Sequence, residues 1–248
     1  MFTPVTFPSS LIFWRNYNNL LRLNDGSAAF YDRPFDKEYQ EQLIDFSRNY
    51  QLDVPLNIMV PSSSLRTRGK MFISHVMPKE LPCGSFKQFS DDIFITSPEL
   101  TFLLAARELS VAELAVLACD LCGIYYYDPY SEMGQSSREP ITSTEEISFY
   151  LNRVKKFPGL KKARVAVRFA MDRSNSPMES KIAALGTTRY MYGGFSLEKP
   201  QLNYMVKLSP EGEKILRRKN CCCDMVWPEQ RIIVEYDSDL AHLSPNQM

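Results

Sequence analysis

The side chains best suited to chemistry are concentrated near the C-terminal end, in the segment CCCDMVWPEQRIIVEYDSDLAH. Two strand-like runs, CCCDMVW and RIIVEYD, flank a Pro-Glu pair, a pattern that predicts a β-hairpin. With a two-residue turn, Trp227 pairs with Gln230 and Asp224 faces Ile233. The register of this hairpin decides which acidic side chains can act together.

Three carboxylates fall on one face of the predicted hairpin. Because side chains alternate along a strand, Asp224, Glu235 and Asp237 point to the same side. Asp224 and Glu235 are diagonal neighbours, roughly 7–8 Å apart before their side chains converge. Like charges at this spacing repel unless a cation lies between them, and carboxylate oxygens suit Mg²⁺ or Mn²⁺. Asp224 and Glu235 are therefore predicted ligands of a metal that would activate water at a phosphate.

The same pattern also fits the solvated outer face of an edge hairpin that holds no metal. The opposite face is apolar and predicts a core surface. It carries Cys221, Cys223, Met225, Trp227, Ile232, Val234 and Tyr236. A turn of two or four residues keeps Asp224 and Glu235 on one face, whereas a turn of three residues separates them. The length of the turn therefore tests the metal-site interpretation.

A helix before the hairpin carries a further carboxylate. Ser176, followed by Pro177 and Glu179, is typical of a helix start in which the glutamate closes a capping box. Two roles stay open for Glu179, metal support and helix capping, and both can hold together. The strand QLNYMVKL follows, after the aromatic, glycine-containing turn YMYGGF.

The first half of the sequence predicts a mixed α/β domain. DKEYQEQLIDFSRNY has the helical period, and VPLNIMV, MFISHV and IFIT are typical of strands. Ser97-Pro98 begins one helix, and Ser110 with Glu113 forms a capping box for the next. These two helices are apolar and offer few cations, which favours a packing role over a DNA-reading helix-turn-helix.

The segment YYYDPYSEMGQSSREPITS, residues 125–143, is polar, interrupted by prolines and without period. It predicts a loop or interdomain linker. Ser143 with Glu146 then begins another helix. A chain of 248 residues favours two domains, so the predicted division is residues 1–124, the linker 125–143, and residues 144–248.

The net charge of zero hides three differently charged regions. Residues 1–150 carry 12 Lys and Arg against 19 Asp and Glu, residues 151–220 carry 16 against 5, and residues 221–248 carry 1 against 5. A basic stretch beside an acidic cluster suits a protein that binds phosphates around a cation. Two oppositely charged surfaces that only face solvent, or that dock on each other, would give the same charge distribution. The predicted nucleic-acid contacts are Lys155, Lys156, Lys161, Lys162, Arg217, Arg218 and Lys219.

Cysteine usage and hydropathy argue against other classes. Cys119 and Cys122 form a single CxxC inside an apolar helical pattern, which favours buried thiols over a zinc or redox site. His75, within a strand, is interpreted as structural. No apolar run approaches the length of a membrane span, and the N-terminus has no signal-peptide pattern. A cytoplasmic protein without a membrane partner is expected.

The segments SPMESKIAALG, CDMVWPEQRIIVEYD and the following AH resemble the PD-(D/E)XK nucleases related to very-short-patch repair endonucleases. The resemblance covers residues 173–248 and implies a restriction-endonuclease-like fold with Mg²⁺ (or Mn²⁺) as cofactor. It implies Glu179 as the helix carboxylate, Asp224 and Glu235 as metal ligands, and Asp237 and His242 as further active-site groups.

The sequence departs from that family in three ways. The lysine of the namesake motif is absent, because Asp237 stands two residues after Glu235, and Ser238 occupies a glycine position. The last helix and strand of the family are missing from residues 144–248. A truncated form of the fold is therefore expected.

The first half resembles the C-terminal region of AbiEi-type antitoxins and transcription regulators of bacterial abortive-infection systems. The matching stretches are LNIMVPSSSLRTRGKMFISHV and IFITSPELTFLLAARELSVAELAVLACDL, within about residues 55–122. This resemblance implies a role in nucleic-acid regulation or defence, and it carries no catalytic motif.

The sequence thus predicts an α/β (α+β) protein with a mixed-sheet N-terminal domain and a restriction-endonuclease-like C-terminal domain. The predicted function is metal-dependent cleavage of nucleic acid, with DNA favoured, in a bacterial defence or toxin–antitoxin setting. One alternative is a non-catalytic DNA-binding regulator or antitoxin that keeps the nuclease fold as a scaffold. Another is an interaction module for a protein partner or a second copy of the chain.

Overall fold

The computed structural model describes residues 2–18, 23–25, 34–67, 69–90 and 92–236. These residues form a mixed helix and sheet protein, which confirms the predicted α+β class. Among them, no helix combines the length and the apolar character that crossing a bilayer requires. The helices are α1 (Ser9–Asn16), α2 (Lys37–Asn49), α3 (Pro98–Ala105), α4 (Val111–Leu121), α5 (Thr144–Arg153), α6 (Leu160–Ala166), α7 (Pro177–Thr187) and α8 (Pro210–Leu216). The strands are β1 (Asn24–Asp25), β2 (Leu56–Val60), β3 (Phe72–Val76), β4 (Phe86–Gln88), β5 (Phe94–Thr96), β6 (Tyr125–Tyr127), β7 (Gln135–Ser137), β8 (Gln201–Lys207), β9 (Asn220–Trp227) and β10 (Ile232–Val234).

The strands of the first half form a mixed sheet, as predicted. β1, β4 and β5 pair in that order, and β2 pairs in parallel with β3. Val5 joins the two groups, because it bridges Ile58 on β2 and Ile95 on β5. His75 on β3 donates from Nε2 to the Asn57 side-chain carbonyl on β2 at 2.8 Å, which agrees with its predicted structural role.

The helices that follow this sheet begin at their predicted caps. Ser97 accepts a hydrogen bond from Leu100 N at the start of α3, and Ser143 accepts one from Glu146 N at the start of α5. Ser110 and Glu113 complete a capping box at the start of α4. These caps are local in sequence, which is why the sequence located them.

One hydrophobic cluster extends through both halves of the chain, from Phe2 to Met225. α4 lies at its centre and packs against α3, α6 and α7. Cys119 on α4 and Cys122 at its C-terminal cap are fully buried, and burial raises the pKa of the Cys119 thiol to about 12. The core interpretation of the CxxC is therefore confirmed. Buried residues of both parts, 1–124 and 144–248, belong to this one cluster. The division of the chain into two domains stays a prediction.

The segment 125–143 is not the irregular loop that its composition predicted. It contains a two-stranded antiparallel hairpin in which Tyr125 pairs with Ser137 and Tyr127 with Gln135. The prediction failed because both strands are only three residues long, too short to show a period. The hairpin is anchored in the core through Tyr125, which is 2% exposed.

Arg138, directly after β7, is buried and fastens this hairpin to α1. Its Nη1 donates to the carbonyls of Trp14 at 2.6 Å and Tyr17 at 2.7 Å, at the C-terminal end of α1, where carbonyls lack helical partners. Burial lowers the pKa of the guanidinium to about 10, so it stays charged at neutral pH. A cation at a helix C-terminus is favourable, which offsets part of the cost of burying it.

The last three strands form a separate antiparallel sheet with the order β10-β9-β8. Cys223 and Met225 on β9 are buried, as predicted for the apolar face of the hairpin. Ile232 and Val234 on β10 are exposed, by 50% and 37%, so the prediction of a continuous core face is wrong for the second strand. Of the two hairpin strands, β9 carries side chains into the core and β10 is an exposed edge strand.

We expect Arg138→Met to destabilise the protein by about 2–4 kcal/mol, because two buried carbonyls lose their donor. At about 2–4 °C per kcal/mol for a chain of this size, the melting temperature should fall by roughly 5–15 °C. Thermal unfolding followed by circular dichroism measures the change. Arg107→Met, at an exposed arginine, is the matched control and should change stability little. Equal melting temperatures for the two variants would contradict this role of Arg138.

Candidate functional site

The N-terminal turn of α7 holds Glu179, which is only 5% exposed. The Oγ of Ser176 accepts a hydrogen bond from Glu179 N at 3.1 Å, as the sequence predicted for the N-cap. The carboxylate reaches back to Asn175 N, which donates to Oε2 at 2.9 Å. The capping role of Glu179 is therefore real, but the donor is one residue earlier than in a standard capping box.

Burial is the main reason why the pKa of Glu179 is raised, and the negative charge of Asp224 on β9 raises it further. Hydrogen bonds from Asn175, Ser176 and Asn203 act in the opposite direction, because they favour the ionised carboxylate. Helix α7 and strand β9 thus bring two carboxylates close enough to repel each other. The sequence predicted this pair, by resemblance, as part of one site.

Asn203, in the middle of β8, is a site residue that the sequence reasoning missed. Its Nδ2 donates to Glu179 Oε2 at 3.3 Å and to the Arg173 carbonyl at 2.9 Å. It has a φ of +50°, between the pairs Leu202↔Met225 and Tyr204↔Cys223. Asparagine is depleted in strands and is among the non-glycine residues that adopt positive φ most readily. An asparagine inside QLNYMVKL was the signal that could have indicated it.

The hairpin register differs from the predicted one by two residues. Ile233 pairs with Val226 and Val234 with Met225, so the turn has four residues rather than the predicted two. Its last residue, Arg231, has a φ of +55°. The Pro-Glu pair indicated the position of the turn but not its length. A four-residue turn preserves the alternation, and one further step of the same pairing sets Glu235 opposite Asp224.

Asp224 and Glu235 are each bound to the backbone of the other's strand segment. Asp224 Oδ2 accepts from Tyr236 N at 2.8 Å, and Glu235 Oε2 accepts from Asp224 N at the long distance of 3.4 Å. These bonds prolong the β9–β10 ladder beyond its last regular pair. They occupy one oxygen of each carboxylate.

Two cysteines on β9 feel the same negative charges. Burial and then the carboxylate of Asp224 raise the pKa of Cys222, and Glu179 and Glu235 add to the effect. Burial, followed by a hydrogen bond to Glu235, raises the pKa of Cys223 to about 12. Both thiols are therefore protonated at neutral pH. Glu179, Asp224 and Glu235, with Cys222 among them, form what we name the carboxylate cluster.

The structure describes part of the predicted metal site. No group of three His, Cys, Asp or Glu side chains within the described residues is arranged to hold a metal ion. Asp237 and His242, the other predicted active-site groups, lie outside the described residues. Asp224 and Glu235 as Mg²⁺ or Mn²⁺ ligands stay a prediction.

The predicted nucleic-acid contacts differ in how far their charged ends are already engaged. Lys155, Lys156 and Lys161, around the start of α6, are exposed. Lys162 is half-buried, and its Nζ donates to the Leu109 carbonyl at 2.6 Å, so this ammonium belongs to the fold. Between α8 and β9, Arg217 and Lys219 are exposed, and Arg218 donates to the Cys221 thiol at 3.2 Å.

A groove of about 1110 Å³ lies elsewhere and shares no residue with the carboxylate cluster. Aromatic rings, including Tyr50 and Tyr130, line it together with the acidic residues Asp45, Asp92 and Asp128, and no Lys or Arg is among its lining residues. An acidic wall repels phosphates, so this groove does not suit a polyanion.

No known family model, curated protein or solved structure matches the chain. The resemblances to AbiEi-type regulators and to PD-(D/E)XK nucleases therefore stay hypotheses. What the structure adds is the physical grouping of Glu179, Asp224 and Glu235.

We expect Glu179→Gln to raise the melting temperature at pH 7.5 by roughly 1–4 °C, because glutamine keeps an acceptor for Asn175 N but removes a buried negative charge. The raised pKa means that the folded protein binds this proton more tightly than the unfolded chain. Wild-type stability therefore falls as pH rises above the unfolded value of about 4.3. The advantage of the variant should disappear near pH 4.

Glu113→Gln is the control of opposite sign, because the hydrogen bond from Ser110 N lowers the Glu113 pKa. It should lose stability at pH 7.5 and little at pH 3. Melting curves of both variants between pH 3 and 8 measure these differences. A Glu179→Gln variant that is less stable than wild type only at neutral pH would contradict the raised pKa.

Proposed function

We propose that this chain is a metal-dependent nuclease-like protein that acts on phosphodiesters of nucleic acid, in a bacterial defence or toxin–antitoxin setting. The observation that carries the proposal is a buried carboxylate, Glu179 on α7, which accepts a hydrogen bond from Asn203 on β8 and lies close enough to Asp224 on β9 for the two charges to repel each other. Proteins rarely keep such a pair at a half-buried position unless it has a use, because the repulsion costs stability.

Carboxylate oxygens are the donors that a hard divalent cation prefers. Mg²⁺ is commonly bound through one or two carboxylates, with water and substrate phosphate as the other ligands. Asp224 and Glu235 would hold it, and its charge would relieve the repulsion from Asp224 that adds to the effect of burial on the Glu179 pKa. When bound, such an ion activates water and neutralises charge on a phosphate.

The remaining contribution comes from the residues themselves. Asn203 and Asn175 fix Glu179 Oε2, so the carboxylate cannot rotate freely. Burial and Asp224 make this carboxylate a better proton acceptor than an exposed glutamate. Turnover is expected to be slow, because the lysine of the namesake motif is absent.

The substrate is inferred from charge. Residues 151–220 carry 16 Lys and Arg against 5 Asp and Glu, and they lead directly into the strand of Asp224. Lys155, Lys156 and Lys161 are exposed and available to phosphates. A basic surface of this kind supports binding to DNA or RNA without reading the sequence.

A second candidate is a non-catalytic nucleic-acid-binding regulator or antitoxin, which binds a protein partner or a second copy of the chain. The backbone hydrogen bonds favour it, because each carboxylate of the cluster already has a structural role. Glu179 caps α7, and Asp224 and Glu235 prolong the β9–β10 ladder. In that case the carboxylate cluster stabilises the ends of β9 and β10 through backbone hydrogen bonds and needs no metal.

We expect Mg²⁺ or Mn²⁺ to stabilise the wild-type chain. At ten times the Kd, mass action gives about 1.4 kcal/mol, or roughly 3–6 °C in melting temperature. Asp224→Asn should remove this shift and any cleavage, while the asparagine oxygen still accepts from Tyr236 N. Asp53→Asn, at an exposed aspartate, is the control and should keep both properties.

The regulator alternative predicts a different result for the same variant. Without metal, Asp224→Asn would raise stability by relieving the repulsion on Glu179, and DNA binding would not change. A metal-independent melting temperature of the wild type, together with intact DNA binding, would exclude the nuclease proposal.

Affinity for duplex DNA should fall steeply with salt, with a log–log slope of about −0.9 for each phosphate neutralised. Changing Lys155 and Lys156 to Gln should reduce the slope by up to about 1.8 and weaken binding. Changing Lys37 and Arg48 on α2 to Gln also removes two positive charges, but it should leave the salt slope unchanged. Fluorescence anisotropy at several salt concentrations measures it, and an absence of binding at low salt would favour the protein-interaction module.

A further inference from the structure

The turn after α7 displays large apolar side chains to solvent. Tyr190, Met191 and Phe195 are exposed by 74%, 73% and 61%, and Leu197 by 52%. We name residues 189–197 the aromatic loop. Four such side chains within eight residues are costly to expose, and patches of this kind mark binding sites.

The aromatic loop is held in one conformation by its own backbone. Phe195 N donates to the Leu185 carbonyl at 3.0 Å, Ser196 N to Thr188 at 2.9 Å and Leu197 N to Gly186 at 2.8 Å. These bonds fasten the loop to the C-terminal turn of α7, so the side chains are displayed without a large loss of entropy on binding.

Gly194 allows the loop backbone to lie close to the backbone of Leu185 and Thr188. A Cβ at this position would lie 2.1 Å from the Thr188 carbonyl oxygen and 2.6 Å from that of Leu185, both backbone atoms that cannot move aside. Tyr192 turns inward and contacts the Phe169 ring, with centroids 6.1 Å apart. The loop is therefore built to present Tyr190 and Phe195 while Tyr192 anchors it.

The charges beside the loop indicate its ligand. Lys181 and Arg189 are exposed, whereas the ammonium of Lys199 donates to the Ala170 carbonyl at 2.7 Å and belongs to the fold. Glu198 is the single carboxylate of the segment 181–199. Flat rings among cations suit unpaired bases, because every base stacks on an aromatic ring while the cations contact the phosphates. A paired duplex keeps its bases stacked on each other and offers no such surface.

The aromatic loop and the carboxylate cluster lie at opposite ends of the same helix. Glu179 is in the first turn of α7, and the helix ends at Thr187, two residues before the loop. At 1.5 Å per residue, the two are roughly 12 Å apart along the helix. A single strand of a few nucleotides is long enough to span this distance.

We propose that the aromatic loop is a stacking platform for the unpaired bases of a single-stranded nucleic acid that passes the carboxylate cluster. This inference rests on the proposed function, since it names the form of the substrate. Tyr190 and Phe195 are the stacking residues, and Arg189 and Lys181 contact the flanking phosphates.

The test measures binding of the full chain to an unstructured oligothymidylate, in EDTA so that no cleavage occurs. Changing Tyr190 and Phe195 to Ala should weaken binding about 10-fold per ring, with an unchanged salt slope, because stacking neutralises no phosphate. Affinity for duplex DNA should change less than about 2-fold. An abasic strand of equal length should bind wild type about as weakly as the thymidylate binds the variant.

The matched control changes Tyr130 and Phe149 to Ala, rings exposed by 89% and 64% in other parts of the chain, and should bind as wild type does. Tyr190→Phe with Phe195→Tyr keeps both rings and should restore binding, which separates stacking from a folding defect. Unchanged affinity of the alanine variant would overturn the platform while leaving the nuclease proposal standing. An equal loss for duplex would also overturn it. A wild-type chain that binds neither ligand at low salt would overturn both proposals.

Discussion

The carboxylate of Asp120, buried near the C-terminal end of α4, is the group around which the elements of the site are arranged. Only 4% of this residue is exposed. A buried charge is unfavourable unless it is paired and hydrogen-bonded. Arg15 on α1 supplies the pairing charge at 2.9 Å, and the Tyr125 hydroxyl on β6 donates to the other oxygen. Asp120 thus requires three separate segments to meet at one point.

The network continues from Tyr125 into α7. The hydroxyls of Tyr125 and Ser180 are 3.0 Å apart, and Ser180 in turn contacts Ser174 at 2.6 Å. Ser180 follows Glu179 directly, so the hydrogen bonds that satisfy Asp120 also set the start of α7. Gly123 permits this approach, because a Cβ there would lie 2.7 Å from the Tyr125 ring. The position of the buried glutamate therefore depends on a network that carries no chemistry itself.

The sequence predicted what is decided locally. The serine caps at Ser97, Ser110 and Ser176 depend on three or four neighbouring residues, and their helices begin where expected. The β9–β10 alternation followed from the two-residue period of a strand. The length of the four-residue turn could not be predicted in this way, because it depends on the positive φ of Arg231 and on cross-strand hydrogen bonds.

Long-range contacts were beyond the sequence pattern. The asparagine in QLNYMVKL marks an unusual strand position, but nothing near it in the chain indicates that its side chain would bridge Arg173 and Glu179, more than 20 residues earlier. Arg138 gave no sign that its partners would be carbonyls of α1. In both cases a polar side chain is positioned by a backbone group distant in sequence, and periodicity carries no information about such groups.

The central position of α4 has a consequence for synthesis on the ribosome. Its buried face, with Leu114, Leu117 and Leu121, is covered by α6 and α7, which emerge some 40–70 residues later. The ribosome adds about 5–20 residues per second, so the apolar pair α3 and α4 stays uncovered in the nascent chain for several seconds. A fragment ending near Cys122 would expose that face permanently, so aggregation, rather than a smaller folded protein, is the expected fate of chains that terminate early.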